Sequence, residues 1–314
     1  MKKIVSLFLS VLIAAALCAC SGGAPGSGTE NAAPGHTGTA AASDTNSAAD
    51  SGDAAPCTSS NAPVEGSEGL KTAEYDDNAL MITGPGGFTG TELVIPSHVN
   101  GVPVVKIEES AFEESNITSL SVPWTVLWIS EDAFEGCGDL TSVTLSEGNL
   151  GIGESAFSGC KSLKGVTVPS TVESVGRSAF AGCLSLEEVT FSGCTSVDKY
   201  AFSECTSLRC VVYEGSAGTP YSVSSEAFSK AAALERVEFS EGLGELGQFC
   251  FEDCAALKTV YLPKSLTSVA PNAFSGTALE KVYYAGSESE WNAITIGGGN
   301  DALKNAAVEF NKTR

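Results

Sequence analysis

The chain is 314 residues long and carries 38 acidic against 17 basic residues, a formal net charge of −21. So negative a chain excludes nucleic acid as a partner, and an anionic membrane surface as anything but the ground for a covalent anchor. Its two histidines, His36 and His98, leave almost no material for a histidine triad or a multi-histidine metal centre, and nothing calls for a cofactor or a metal.

Lys2 and Lys3, the apolar run 4–17 and the small residues after it have the three parts of a bacterial secretion signal, residues 1–19. The apolar run is shorter than a membrane-spanning helix needs. Leu17, Cys18, Ala19 and Cys20 resemble the bacterial lipobox. That resemblance implies lipidation of Cys20 and an extracellular chain, held at the cell surface by two acyl chains. An ordinary signal peptide with an incidental cysteine is the alternative. Residues 21–69 contain no aromatic residue, lysine or arginine, so they cannot bury enough apolar surface to fold and are expected to form a disordered tether. Its root-mean-square span would be roughly 40 Å.

From there a phenylalanine recurs at 112, 134, 157, 180, 202, 228, 251 and 274, at gaps of 22, 23, 23, 22, 26, 23 and 23 residues. Units this short cannot bury their own apolar face and must stack, which predicts a solenoid. Five residues before each Phe stands Ile or Val, or once Leu246; directly before it stands Ala, or once Cys250. Five or six residues after it begins an L-x-x-V-x-[apolar] phrase, as in Leu140, Val143 and Leu145. Alternation turns Val143 and Leu145 inward and Ser142 and Thr144 outward, so this phrase is a strand. Pro123, Pro169 and Pro263 end such strands. The Ala-Phe phrase reads as a tight helical turn whose Phe plugs the core. The expected fold is an α/β-type repeat solenoid of about 23 residues per repeat, with a parallel β-sheet and short helical turns.

The full phrase I-x-x-x-A-F-x-x-C-x-x-L-x-x-V-x-[apolar]-P resembles the BspA-like leucine-rich repeat family of bacterial surface proteins, over residues 74–312. The resemblance implies a cell-surface adhesion or binding protein and does not identify a ligand. NALMITGPGGFTGTELVIP would cap the first rung, within an N-terminal cap and first strand at 70–106. The repeats run over 107–284, and 285–314 looks like the family's C-terminal cap, with Trp291, Ile294, Ile296, Leu303, Val308 and Phe310 shielding the last rung.

Eleven cysteines in a secreted chain suggest disulfides, yet Cys137, Cys160, Cys183, Cys205 and Cys254 all stand three residues after the repeat Phe. A repeat-locked slot, filled elsewhere by Ser115, Ala231 and Thr277, points to a ladder of free buried thiols. Cys57 sits alone in the tether. There is no G-x-S-x-G elbow and no phosphate-binding loop, and adjacent acids such as Glu108 and Glu109 are ordinarily solvated. No catalytic residue is assigned.

Internal copies control for one another. Where Pro169 is followed by Ser170, Glu173 and Ser174, Pro123 is followed by Trp124, Leu127 and Trp128 in the same slots. Three such changes in one rung make either a contact site or a face that Val105 and the N-terminal cap cover. On the strand face, small hydroxyls give way to Tyr261 and Tyr283, which could grip a sugar or peptide or be a plain cross-strand pair. The 26-residue unit should bulge near residues 214–221. The expectation is a monomeric binding head that meets a protein or glycan ligand outside the cell, with adhesion foremost and carbohydrate or nutrient capture second. An extracellular hydrolase is third.

Overall fold

A computed structural model describes residues 63–193, 195–215 and 219–312. The signal segment, Cys20, His36, Cys57 and residues 20–62 of the tether lie outside the described residues.

The eight repeat phenylalanines form one column. Successive ring centroids lie 5.1–5.5 Å apart, with interplanar angles of 3–25°. Every ring is sealed from solvent. Three walls enclose the column, and each is a ladder of backbone hydrogen bonds between rungs. The aliphatic slot before each Phe lies in a strand, six residues long at Val102–Ile107 and two to four thereafter, such as Trp128–Ile129, Gly151–Ile152 and Ser174–Val175. They belong to a 12-stranded sheet, parallel through the repeats, whose N-terminal edge is the antiparallel hairpin Lys71–Asp76 and Ala79–Gly84. The L-x-x-V-x-[apolar] phrase forms the second wall, with Val143 buried and Ser142 and Thr144 exposed as alternation requires. This wall is two sheets, three-stranded up to Ser142–Leu145 and seven-stranded from Gly165–Val168 onward.

The third wall carries the Phe phrase, and here the chain is not a helix. Bonds of the i+3 to i type do occur, as Ala133 N donates to Ser130 O and Cys137 N to Phe134 O. A left-handed residue two before and two after each Phe stops their propagation; Asp132 has φ 54° and Gly136 φ 69°. The freed N–H groups turn along the solenoid instead. Asp132 N, Phe134 N and Gly136 N donate to Glu154 O, Ala156 O and Ser158 O of the next rung. Helices occur, among the described residues, only in the C-terminal cap: α1 at Glu288–Trp291, closed by a Ser287–Glu290 capping box, and α2 at Asp301–Asn305.

The cap ends both sheets with one more strand each, Thr295–Ile296 and Ala307–Phe310. Leu303 is fully buried, while Trp291, Ile294, Ile296, Val308 and Phe310 pack half-buried on the last rung. In that rung Asn272 N donates to Gly298 O of the cap, while Phe274 N has no backbone acceptor there. Buried Asn300 supplies one: its Oδ1 accepts from Phe274 N at 3.0 Å, and its Nδ2 donates to Ala270 O and Gly297 O. In the 26-residue unit Phe228 stacks on Phe202 at 5.3 Å, so the extra residues leave the column in register.

Candidate binding surface

Pro123 ends the strand Ser119–Val122, and Val126 N donates back to Pro123 O. This turn carries Trp124 and Leu127 ahead of Trp128, with Trp124 Nε1 buried. The N-terminal cap meets this rung along its backbone, where Leu127 N donates to Val105 O and Trp128 pairs in register with Lys106, and through side chains at Trp124. His98 meets the Trp124 ring edge-on at 6.4 Å, and Thr125 Oγ1 donates to Ser97 O. Trp124 and Leu127 are half-buried, whereas Trp128 is 42% exposed. Trp128 lies across Gly151 of the next rung, its partner in the sheet register, where a Cβ would come within 2.3 Å of the ring. Glycine at 151 is therefore what lets the indole lie down on the backbone, an aromatic side chain covering a strand glycine.

Sequence comparison of copies passed over Leu150. Leu127 N donates to Val105 O and Leu150 N to Leu127 O, so these three occupy one slot on successive rungs. Val105 is buried and Leu150 half-buried, and Glu173 follows in the same row. The signal was present in the sequence, since the slot is apolar in three successive copies before it turns acidic. The patch thus spans two rungs: Trp124, Leu127 and Trp128 on one, Leu150 on the next.

Carboxylates follow it along the same rungs. Asp132 beside Glu131 holds the Glu131 carboxyl above its usual range, and Glu154 and Glu109 add to the effect. Glu135 is raised by burial first and by Asp132 and Glu113 next. Glu108 behaves differently: burial pushes it up, but the bonds donated by Lys106 Nζ at 3.0 Å and by Glu109 N outweigh this and leave it lowered. Glu108 is thus one half of an ion pair with Lys106.

Tyr261 and Tyr283 are brought together on the strand wall, ring centroids 4.5 Å apart and nearly parallel. Each covers one face of the other, and Lys281 Nζ sits 4.8 Å from the centre of the Tyr283 ring. Arg236 pairs with Glu238 at 2.9 Å one rung earlier. What this pair offers outward is ring edges and hydroxyls. Where the second wall divides, an open depression of about 380 Å³ lies over Gly165, bordered by Thr144, Thr167, Glu188 and Thr190.

The repeat-locked cysteines are free thiols. Each donates to the carbonyl of the repeat Phe in the preceding rung of the column: Cys137 to Phe112 O, Cys160 to Phe134 O, Cys183 to Phe157 O, Cys205 to Phe180 O and Cys254 to Phe228 O, at 3.1–3.3 Å. Burial raises their pKa values, Cys205 and Cys254 to about 12. Ser97 and His98 touch at 3.1 Å, but Ser97 Oγ also accepts from Val64 N and donates to Val64 O, which pins the chain entry to the cap. Among the described residues no cluster of three or more His, Cys, Asp or Glu is placed to hold a metal, and no helix is long and apolar enough to cross a membrane.

The family model described as the BspA type leucine rich repeat region matches residues 91–209 and 192–293, in six copies, and so covers more than half of the chain. Among curated proteins no relative matches. Solved structures with a similar fold include the T. pallidum leucine rich repeat protein TpLRR, 25% identical over 66% of this chain and 86% of its own, with a TM-score of 0.49. A leucine rich cell surface protein from Faecalibacterium prausnitzii A2-165 is 20% identical over 75% and 98% of the two chains, TM-score 0.36. The pneumococcal vaccine antigen PcpA is 16% identical over 81% and 88%, TM-score 0.40. A scaffold of stacked rungs presenting outward slots that the core does not use, built on this repeat, places the chain in a defined group: it belongs to the BspA-type leucine-rich repeat proteins.

Proposed function

We propose that this chain is a cell-surface lipoprotein, tethered outside the cell through Cys20, whose solenoid holds a macromolecular partner in adhesion. The observation behind the site is Trp128, a large apolar ring left 42% exposed in a slot that the rungs on either side fill with Lys106 and Gly151 and the one after with Ser174. Repeat geometry does not require it there, and tryptophan in such a setting is a favoured contact residue. Replacing Trp128 by Ser, its counterpart two rungs on, should leave the melting temperature within a few degrees of the parent while lowering capture of host or matrix material in a solid-phase assay. A large loss of stability would instead mean that the ring serves the fold. The anchor is tested separately: Cys20→Ser should release the protein into the medium, and a variant that stays membrane-bound would refute the lipid anchor.

Carbohydrate capture through Tyr261 and Tyr283 is the second reading, favoured by their side-by-side placement on an outward row. Their rings cover one another, so a sugar would meet edges and hydroxyls, not an open stacking face. Glycan-array signals that vanish on changing both tyrosines would establish it over the first. We propose no catalytic role, because the Ser97–His98 contact, the one Ser–His contact among the described residues, is locked to the backbone of Val64.

A further inference from the structure

The apolar patch lies in the most negative part of the solenoid. Residues 107–160 hold ten acidic residues and no lysine or arginine, whereas residues 161–314 hold 18 acidic and 13 basic. Glu109, Glu131 and Glu154 stand on three successive rungs, each three residues beyond the slot that holds Lys106, Trp128 and Gly151, and all three are exposed. Glu109 and Glu131 have no ion-pair partner among the described residues, and Glu154 has only Arg177 at 3.8 Å. Lys106, the one cation in the Trp128 row of these rungs, is already paired with Glu108.

We propose that the Trp128 patch docks a basic peptide segment, with an aliphatic or aromatic side chain seated on Trp128, Leu127 and Leu150 and flanking Lys or Arg residues reaching Glu109, Glu131 and Glu154. This rests on the reading of the patch as the contact site and adds the chemistry of the partner. The carboxylates repel an anionic lipid surface or an acidic chain and draw in a cationic one, so charge selects the partner and speeds encounter while apolar burial holds it. A cation arriving there also relieves the mutual repulsion of Glu131, Asp132, Glu154 and Glu109. Neither feature alone specifies this partner. Apolar surface without the charges would accept any greasy segment, and the charges without the patch would be a solvated ridge.

The test pans the full chain against a phage-displayed library of random dodecapeptides. Two variants run in parallel: Trp128→Ser, and the combined Glu109→Gln, Glu131→Gln and Glu154→Gln. Circular dichroism checks each fold first; should Trp128→Ser disturb it, Leu127→Glu, the residue of the later copy, takes its place. Enriched peptides should combine Lys or Arg with Leu, Phe or Trp. Resynthesised, they should bind the parent at least about tenfold more tightly than either variant. Raising salt well above physiological strength should weaken them about tenfold. Enriched peptides that need Trp128 but are neutral or acidic, or that bind the glutamine variant as well as the parent, would overturn the basic partner and leave the patch standing. Enrichment indifferent to the change at the patch, or no enrichment at all, would overturn both.

Discussion

Phe180 is the ring to remove if the column is what holds the rungs together. It is fully buried and stacked on both sides, against Phe157 and Phe202, each at 5.1 Å. Truncation to Ala forfeits the transfer of a benzyl group and leaves a cavity, together about 3–5 kcal/mol in a site that cannot collapse. Collapse is resisted here because the Phe180 rung is fixed to both neighbours by three backbone ladders. Phe112 provides the control. It is equally buried but has one ring neighbour, Phe134 at 5.3 Å, so Phe112→Ala should cost less by about one aromatic contact, about 1 kcal/mol. Guanidinium unfolding followed by far-ultraviolet circular dichroism measures both. Because rungs couple only to their neighbours, the Phe180 variant should also unfold over a broader range, as two weakly joined halves. An unchanged midpoint for Phe180→Ala, or a larger loss at Phe112, would refute the argument that stacking between rungs carries the stability.

Three further outcomes follow from particular contacts. Asn300→Ala strips the acceptor from Phe274 N and the donor from Ala270 O and Gly297 O. It should cost about 3 kcal/mol by denaturant titration, and a loss under about 0.5 kcal/mol would show that the last rung needs no cap. Alkylation of the native protein at pH 8, read by peptide mass mapping, should label Cys210 and spare Cys137, Cys160, Cys183, Cys205, Cys250 and Cys254, whose thiols burial holds away from ionisation; prompt labelling of any buried member would contradict the thiol ladder. Glu131 has a raised folded-state pKa, so the folded protein takes its proton first as pH falls, and stability linked to this group rises through that window and is lower above it. Glu131→Gln should therefore raise the melting temperature at pH 7 and change it little below the ordinary glutamate pKa; an effect of the same size at both pH values would remove the like-charge explanation.

The period made the column, the aliphatic slot and the strand legible before any coordinates, because each is a residue type locked to a spacing. The third wall was less so. Its left-handed positions hold Ser110, Asp132, Tyr200, Phe249, Glu204 and Lys230 as well as glycines, and a set that mixed carries no residue-type signal for φ. Neither could period reveal Asn300, which lies past the last repeat and has no copy to be compared with. The same limit applies to two glutamates. Glu147 accepts from Ser170 N and Thr171 N, and Glu241 from Lys264 N and Ser265 N. Each lends a carboxylate to the turn after the next rung's proline, so the Ser-Glu-Gly that precedes a Pro-led unit is a device shared between two units. Aligning units one beneath another hides it.

The candidate surface turns on the same distinction between a slot and a pair of slots. Comparing single positions found Trp124, Leu127 and Trp128, yet the position that fixes the exposed ring is Gly151, on another rung and unremarkable by itself. A serine there, as at Ser174, would drive a Cβ into the indole. The Trp128 and Gly151 departures are thus one feature written twice in the sequence, 23 residues apart, and the apolar Leu150 beside Leu127 extends it. A random drift of surface residues would not match a large ring to a missing side chain across a ladder bond. Two adjacent rungs that depart together and fit each other are the feature on which the proposed contact surface rests. That is the physical reason to look for the partner here before the longer and more regular strand face.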